Sequence, residues 1–377
     1  MKARRLLAVS GKEFLHVRRD PRSLVLAIAI PVVLLLLFGY VLTLDVDRVP
    51  MAVWDRSRTP ESRELVSRFE GSRYFQVAQR AEGYPEVEEA LDRGRVLAAL
   101  VIPEDFAGKV RSDRSSVVQL LLDAAEANTA TIALGYAEAV VSGYSSDLEV
   151  RWAHAKGLQG IRPPVDVRSR VWFNTDLESR NFIIPGLISV IMMIIAALLT
   201  SLTVAREWEQ GTMEQLIATP VTAPELILGK LLPYFVIGMM DLVVAVAMGK
   251  YLFHVPMRGS LPLLFGIAAV FLVGALSLGM LFSVSTRSQF PASQMAMAFT
   301  FLPSYLLSGF VFSIDSMPPV VRAITHLVPS RYFVKVIKGI YLKGVGLGTL
   351  AVDTAPLLVF GAGLLLAATR MFRKKLG

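Results

Sequence analysis

The chain has no cysteine in its 377 residues, which excludes disulfides, thiol nucleophiles and cysteine-ligated metals. Histidine is almost as scarce. His16, His154, His254 and His326 stand far apart, and no H-E-x-x-H or similar ligand spacing occurs, so no metal site is expected. Phosphate-cradling glycine patterns are missing too: there is neither G-x-x-x-x-G-K-[ST] nor G-x-G-x-x-G before a nucleotide-type βα unit. The run GVGLG at Gly344 reads as a flexible turn at the head of an apolar stretch. The chain therefore cannot supply its own nucleotide energy. A membrane enzyme lacks any acid, base, nucleophile or metal set to carry it. Repeats and low-complexity tracts are also absent.

What is abundant is apolar sequence, 54% of the residues, in runs longer than soluble cores use. That composition belongs to an integral membrane protein. The formal charge of +8 does not point to nucleic acid, because the basic residues crowd the two ends, where the positive-inside rule wants them. Residues 1–22 interleave Lys2, Arg4, Arg5, Lys12, Arg18, Arg19 and Arg22 with Leu6, Leu7, Phe14 and Val17, which predicts an amphipathic helix on the inner leaflet. The first span, Ser23 to Leu44, is about 33 Å long as a helix, against a hydrocarbon layer of about 30 Å. It has no small-residue cleavage site and reads as a retained anchor.

From 45 to 180 the composition is that of a soluble domain. β-like runs start at Val49, Phe75, Val96 and Val117, and they alternate with helical stretches Glu61–Phe69, Tyr84–Asp92 and Glu104–Arg111. Asn128 is expected to cap a long helix reaching about Lys156, and Val165 to Phe173 to return as a strand. A capping box at Thr175–Glu178 opens the second span at Asn181. Further spans follow at Leu226–Phe253, Leu261–Val284, Met295–Ile314 and Leu350–Met371. Two basic ends on one side require an even number of crossings, and six satisfies this. The fold class is thus a helical membrane protein of one plus five spans, with a small α/β domain inserted on the outer side. The bundle is 181–377. Within it, 315–348 has apolar stretches too short to cross, which suits re-entrant helices at the outer face with Arg331, Lys335 and Lys338 reaching toward head groups.

The segment Arg206–Lys230, REWEQGTMEQLIATPVTAPELILGK, joins the second and third spans on the inner side. A helix from Arg206 to Thr219 places Trp208, Thr212, Met213, Leu216 and Ile217 on one side and Glu207, Glu214 and Gln215 around the rest. Pro220 ends it, and Thr222 with Glu225 forms a capping box that opens the next helix with Pro224 in its first turn. This is a docking hairpin tied to two spans. Deep in the third span stands Asp241, which either lines a conduit favouring cationic amphiphiles or makes an interhelical hydrogen bond. Gly238, Gly266, Gly274, Gly279, Ser277 and Ser308 are read as close-packing positions. The methionines at 192, 193, 239, 240, 248, 295 and 297 are read as packing or lipid-facing.

The hairpin string with the LLPYF that follows, the preceding LESRNFIIPG, the later SGFVFSIDSMPPVVRAITHLVPSRYFVKVIKGIYLKG and the opening KEFLHVRRDPRS together resemble ABC transporter permeases of the ABC-2 type. The subgroup is the one with a large extracytoplasmic domain, associated with drug or multidrug export. The resemblance implies a multi-pass protein of the bacterial cytoplasmic membrane with both termini inside. It also implies two permease chains, identical or paralogous, with two copies of a cytoplasmic ATPase that binds the ATP and magnesium. No cofactor is implied for this chain; an outer accessory protein is a further partner. Carried onto this sequence, Glu207, Trp208, Glu209, Gly211, Thr212, Glu214 and Gln215 are coupling residues, and residues 1–22 are a connecting helix beside them. The competing reading is a receptor or anchor that senses an external ligand and recruits an inner partner. An adjacent reading frame for a P-loop ATPase discriminates the two.

Overall fold

The computed structural model describes residues 2–20, 25–41, 48–112, 114–125, 127–155, 173 and 178–372. They form two compact units, Met1–Thr43 with Val171–Gly377, and Leu44–Arg170. The larger unit begins with α1 (Ala3–Arg19), followed by a π-helical turn, Val25–Ala29, that runs into α2 (Ile30–Val41). On α1 the buried residues are Ser10, Glu13 and Val17, at helical spacing, while Leu7 and Phe14 stay exposed. The helix is amphipathic, and its buried stripe carries an acid.

The second unit is built on β1 (Val49–Asp55), followed by α3 (Pro60–Glu70), β2 (Phe75–Arg80), α4 (Tyr84–Asp92), β3 (Ala98–Ile102), α5 (Phe106–Arg111), β4 (Gln119–Leu122) and α6 (Ala127–Ala155). The sheet order is β2-β1-β3-β4, with β1 parallel to both neighbours and β4 antiparallel to β3. Every residue of β3 is buried, as expected of a strand covered on both faces. One face packs Met51, Val53 and Leu100 against Leu65, Phe69, Phe106 and Tyr144 of α3, α5 and α6. The other sets Ala52 and Ala99 against Val87 and Ala90, so α4 sits close on small side chains. Thr59 and Ser62 form a capping box for α3, and Ser62 Oγ also donates to Asp55 Oδ2 at 2.7 Å. Ion pairs Arg151–Glu64, Arg68–Asp147 and Arg111–Glu61 stitch α6 to α3 and α3 to α5. Asn128 lies in the first turn of α6 rather than at its cap, one residue inside the boundary. The expected strand at 165–173 and the capping box at 175–178 fall outside the described residues, apart from Phe173 and Glu178.

The remaining elements of the larger unit are α7 (Ser179–Glu209), α8 (Met213–Ala218), α9 (Ala223–Tyr251), α10 (Leu261–Thr286), α11 (Gln289–Leu306), a 3-10 turn Ile314–Ser316, α12 (Pro319–Thr325), α13 (Pro329–Lys338), a π turn Gly339–Lys343 and α14 (Leu347–Met371). Among the described residues four helices are long and apolar enough to cross a membrane: α7, α9, α10 and α14. The first expected span is seen only over 25–41. The fifth departs from expectation: α11 starts at Gln289 and ends at Leu306, not Ile314. Gly309 takes a left-handed turn at φ 79°, and Gln289, Gln294, Thr300 and Ser304 dilute the apolarity. Its 18 residues make about 27 Å of helix.

Helix α7 is buried nearly all round and forms the bundle core, with α2, α9, α10, α11 and α13 against it. It meets α10 at very close range. A Cβ on Gly279 would collide with the Ala197 carbonyl, Thr200 Oγ1 donates to the Leu276 carbonyl at 2.8 Å, and Ser283 Oγ accepts from the backbones of Val204 and Ala205. Gly238 abuts Leu272 and Gly274 faces Gly361, but among the described residues nothing packs against the Cβ position of Gly266. Between α11 and α14 the short helices are present, yet their cations bind within the chain. Arg331 reaches the Arg322 carbonyl, Lys335 pairs with Asp353 at 2.9 Å, and Lys338 donates to the Gly309 carbonyl beside the Phe182 ring. Arg331 and Lys338 thus meet backbone carbonyls and Lys335 a carboxylate.

Gly279→Val overpacks the α7–α10 contact by about 1–3 kcal/mol and lowers the thermal unfolding midpoint of the purified protein, whereas Gly266→Val leaves the midpoint unchanged.

Candidate functional site

The hairpin after α7 is built from two helical pieces. The expected continuous helix Arg206–Thr219 is interrupted because α7 itself runs to Glu209, and Gly211, at φ 69°, turns the chain into α8. A left-handed residue ends a helix at low cost only when it is glycine. The amphipathic division holds except at Glu207, which is buried rather than on the open side: Met213 is buried, Trp208, Leu216 and Ile217 pack on the bundle core, and Glu214 and Gln215 are exposed. Arg287 lies over the Trp208 ring at 4.7 Å. After Pro220, Thr222 and Glu225 form the capping box, with the Thr222 N–H donating to Glu225 Oε2 at 2.9 Å.

The acids of this segment have different surroundings. Glu209 is exposed but bound, accepting from Ser288 Oγ at 2.7 Å and from the Gln289 N–H at 2.8 Å, so it caps α11. Glu207 points inward. Its carboxylate lies 3.2 Å from both Lys230 Nζ and Lys12 Nζ and accepts from Thr212 Oγ1. Lys230 is 2% exposed and sits 2.8 Å from Glu13 Oε2, while Tyr234 donates to the other oxygen of Glu13 at 3.0 Å. Two ammonium groups and two carboxylates thus form a neutral cluster tying α1, the end of α7 and the start of α9 together. Around it, Arg206 pairs with Asp20 at 3.4 Å, the Lys2 N–H donates to Glu225 at 2.6 Å, and Arg5 donates to the Pro220 carbonyl. Gly229 permits the approach, since a Cβ there would strike Val9.

Of the candidate coupling residues, Glu207 and Thr212 therefore lie inside the cluster, Trp208 and Glu209 are engaged with neighbouring helices, and Gly211, Glu214 and Gln215 form the open edge. Glu13, Lys230 and Tyr234 escaped sequence reasoning. The available signals were an acid among the cations of residues 1–22 and a lysine four residues before a tyrosine at the head of an apolar run.

Asp241 lies apart from this cluster, half-buried in a cleft lined by Pro31 and Leu35 of α2, Ile188 and Met192 of α7, and Leu272 of α10. Among the described residues it makes no hydrogen bond or ion pair, so its carboxylate faces the cleft. The methionines divide: Met192 and Met193 are core, while Met240 and Met297 are more than half exposed.

A protein-family model described as ABC-2 family transporter protein matches residues 21–370. The chain belongs to the ABC-2 transporter family. This permease is 40% identical over 342 residues, 90% of its own length and 89% of the relative's, to the probable multidrug ABC transporter permease YbhS of Escherichia coli K12. It is 30% identical over 373 residues to the probable multidrug ABC transporter permease YbhR of the same organism, covering 98% and 99% of the two chains. It is also 28% identical over 339 residues to the inner membrane transport permease YhhJ of E. coli K12, covering 88% and 87%. Family membership and the apolar helices make the permease a multi-pass membrane protein.

Removing Lys230 leaves the Glu13 carboxylate buried without a cation and Glu207 with Lys12 alone. Lys230→Ala is expected to destabilise the permease by about 3–5 kcal/mol in thermal unfolding, and combining Lys230→Met with Glu13→Gln and Glu207→Gln recovers most of the loss.

Proposed function

We propose that this permease is the membrane half of an ATP-driven exporter of hydrophobic or amphiphilic compounds, drug-like molecules or lipids, across the bacterial cytoplasmic membrane. Two permease chains act with two copies of a separate ATPase that holds the ATP and magnesium. Six crossings place both termini and the hairpin inside and the α/β unit outside, where it extends the exit path or meets an accessory protein. The observation that carries the reading is the split character of the hairpin: Gly211, Glu214 and Gln215 form an open edge, while Met213 of the short helix is buried and Glu207 just before it is clamped to Lys230 of α9.

In this reading Glu214 and Gln215 contact the ATPase, while Glu207, Trp208, Glu209 and Thr212 are positioning residues that pass its motion to α1, α7, α9 and α11. When ATP closes the partner dimer, the hairpins move and carry the inner ends of these helices with them. Asp241 lines the conduit and favours cations, because an apolar cleft holding one carboxylate attracts opposite charge.

Glu214→Lys reverses charge on the open edge without touching the clamp. Purified with the ATPase, this variant is expected to fold normally yet lose substrate-stimulated ATP turnover; undiminished co-purification and stimulation contradict the docking assignment. Asp241→Asn is expected to reduce ATP-driven uptake of a cationic dye into inverted vesicles more than uptake of a neutral one, and equal effects on both contradict the conduit assignment.

A further inference from the structure

The Leu44–Arg170 unit contains a second cleft that coupling does not use. It has a volume of about 380 Å³, within the range of roughly 300–1,000 Å³ typical of sites for drug-sized ligands. It opens where α6 diverges from α5 and from the run leading into β4. Its floor is apolar: Leu65, Phe106, Val110, Val118, Val141 and Leu148. Its rim is polar, and three rim groups have no protein partner among the described residues. Ser116 Oγ is buried without a hydrogen bond, and the side chains of Arg114 and Glu149 form no ion pair, although every other arginine of α3, α5 and α6 is matched to an acid or a carbonyl. Trp152, one turn beyond Glu149 on α6, completes the wall.

An orphaned buried hydroxyl is costly unless a ligand or water satisfies it. A cation and a carboxylate left unpaired above an apolar floor recognise charge at the two ends of a guest rather than each other. From this geometry we infer that the cleft is a binding site for a compact amphiphile. Its ring system lies on the floor against Trp152, an anionic or acceptor head meets Arg114 and Ser116, and a donor group meets Glu149. The site lies within one unit, needs no nucleotide, and stands independently of the coupling assignment.

The absence of cysteine makes a protection experiment direct. Ser145→Cys places a single thiol in the cleft lining, and Ser146→Cys places one on the next residue, outside it and exposed. Each full-length variant, in lipid nanodiscs, is treated with a small membrane-impermeant thiosulfonate reagent and titrated with 1-anilinonaphthalene-8-sulfonate. This probe has a fused ring, a sulfonate and an amine. At about ten times its Kd the probe slows reaction at 145 about tenfold, the factor set by 1 + [L]/Kd, and leaves 146 unchanged. Adding Arg114→Glu removes the protection. Equal slowing at both positions, slowing at neither, or a thiol at 145 that fails to react while 146 reacts overturns the site; protection that survives Arg114→Glu overturns the assignment of the head group.

Discussion

The ammonium of Lys230, out of water and held between Glu13 and Glu207, is the interaction on which the hairpin end of the bundle depends. A lone buried cation would be too costly to keep charged, and each carboxylate alone would be equally costly. Together with Lys12 and the hydroxyls of Tyr234 and Thr212 they form a satisfied cluster, so the three helices that contribute to it cannot separate without exposing an unpaired charge to an apolar surround. Directional bonds of this kind also fix one geometry, which a purely apolar contact does less sharply. A hairpin anchored this way is tied to α1, to the beginning of α9 and to the end of α7.

The same economy of contact recurs along α7. Where it meets α10, glycine and hydroxyl side chains replace bulky ones, and backbone approaches backbone. Small residues let helices pack closely where hydrocarbon offers no hydrophobic drive between them.

Much of this was legible in the sequence where the signal is local. The four strand starts, the break at Pro220 and the Thr222–Glu225 box all appear within a few residues of expectation, because periodicity, proline and capping act over a handful of positions. The open edge at Glu214 and Gln215 was also foreseen from helical spacing. Glu207 was foreseen on the hairpin but not as an inward group, since its neighbours depend on α7 continuing to Glu209. The cluster itself could not be read, because Lys230 and Glu13 lie 217 positions apart in the chain and nothing local couples them. The end of α11 differs from expectation for a similar reason: an apolar run predicts burial, but the left-handed turn at Gly309 and the Gly309 carbonyl that holds Lys338 are tertiary features.

The central claim is that the clamped hairpin works at the inner surface, where a cytoplasmic motor can grip it. Gln210, exposed at the tip between α7 and α8, reports this most directly, because Gln210→Cys is the sole thiol in the chain. The account predicts that a membrane-impermeant maleimide leaves this thiol unlabelled in intact cells and labels it once the inner membrane is permeabilised. Labelling in intact cells, with the inner membrane sealed, contradicts it.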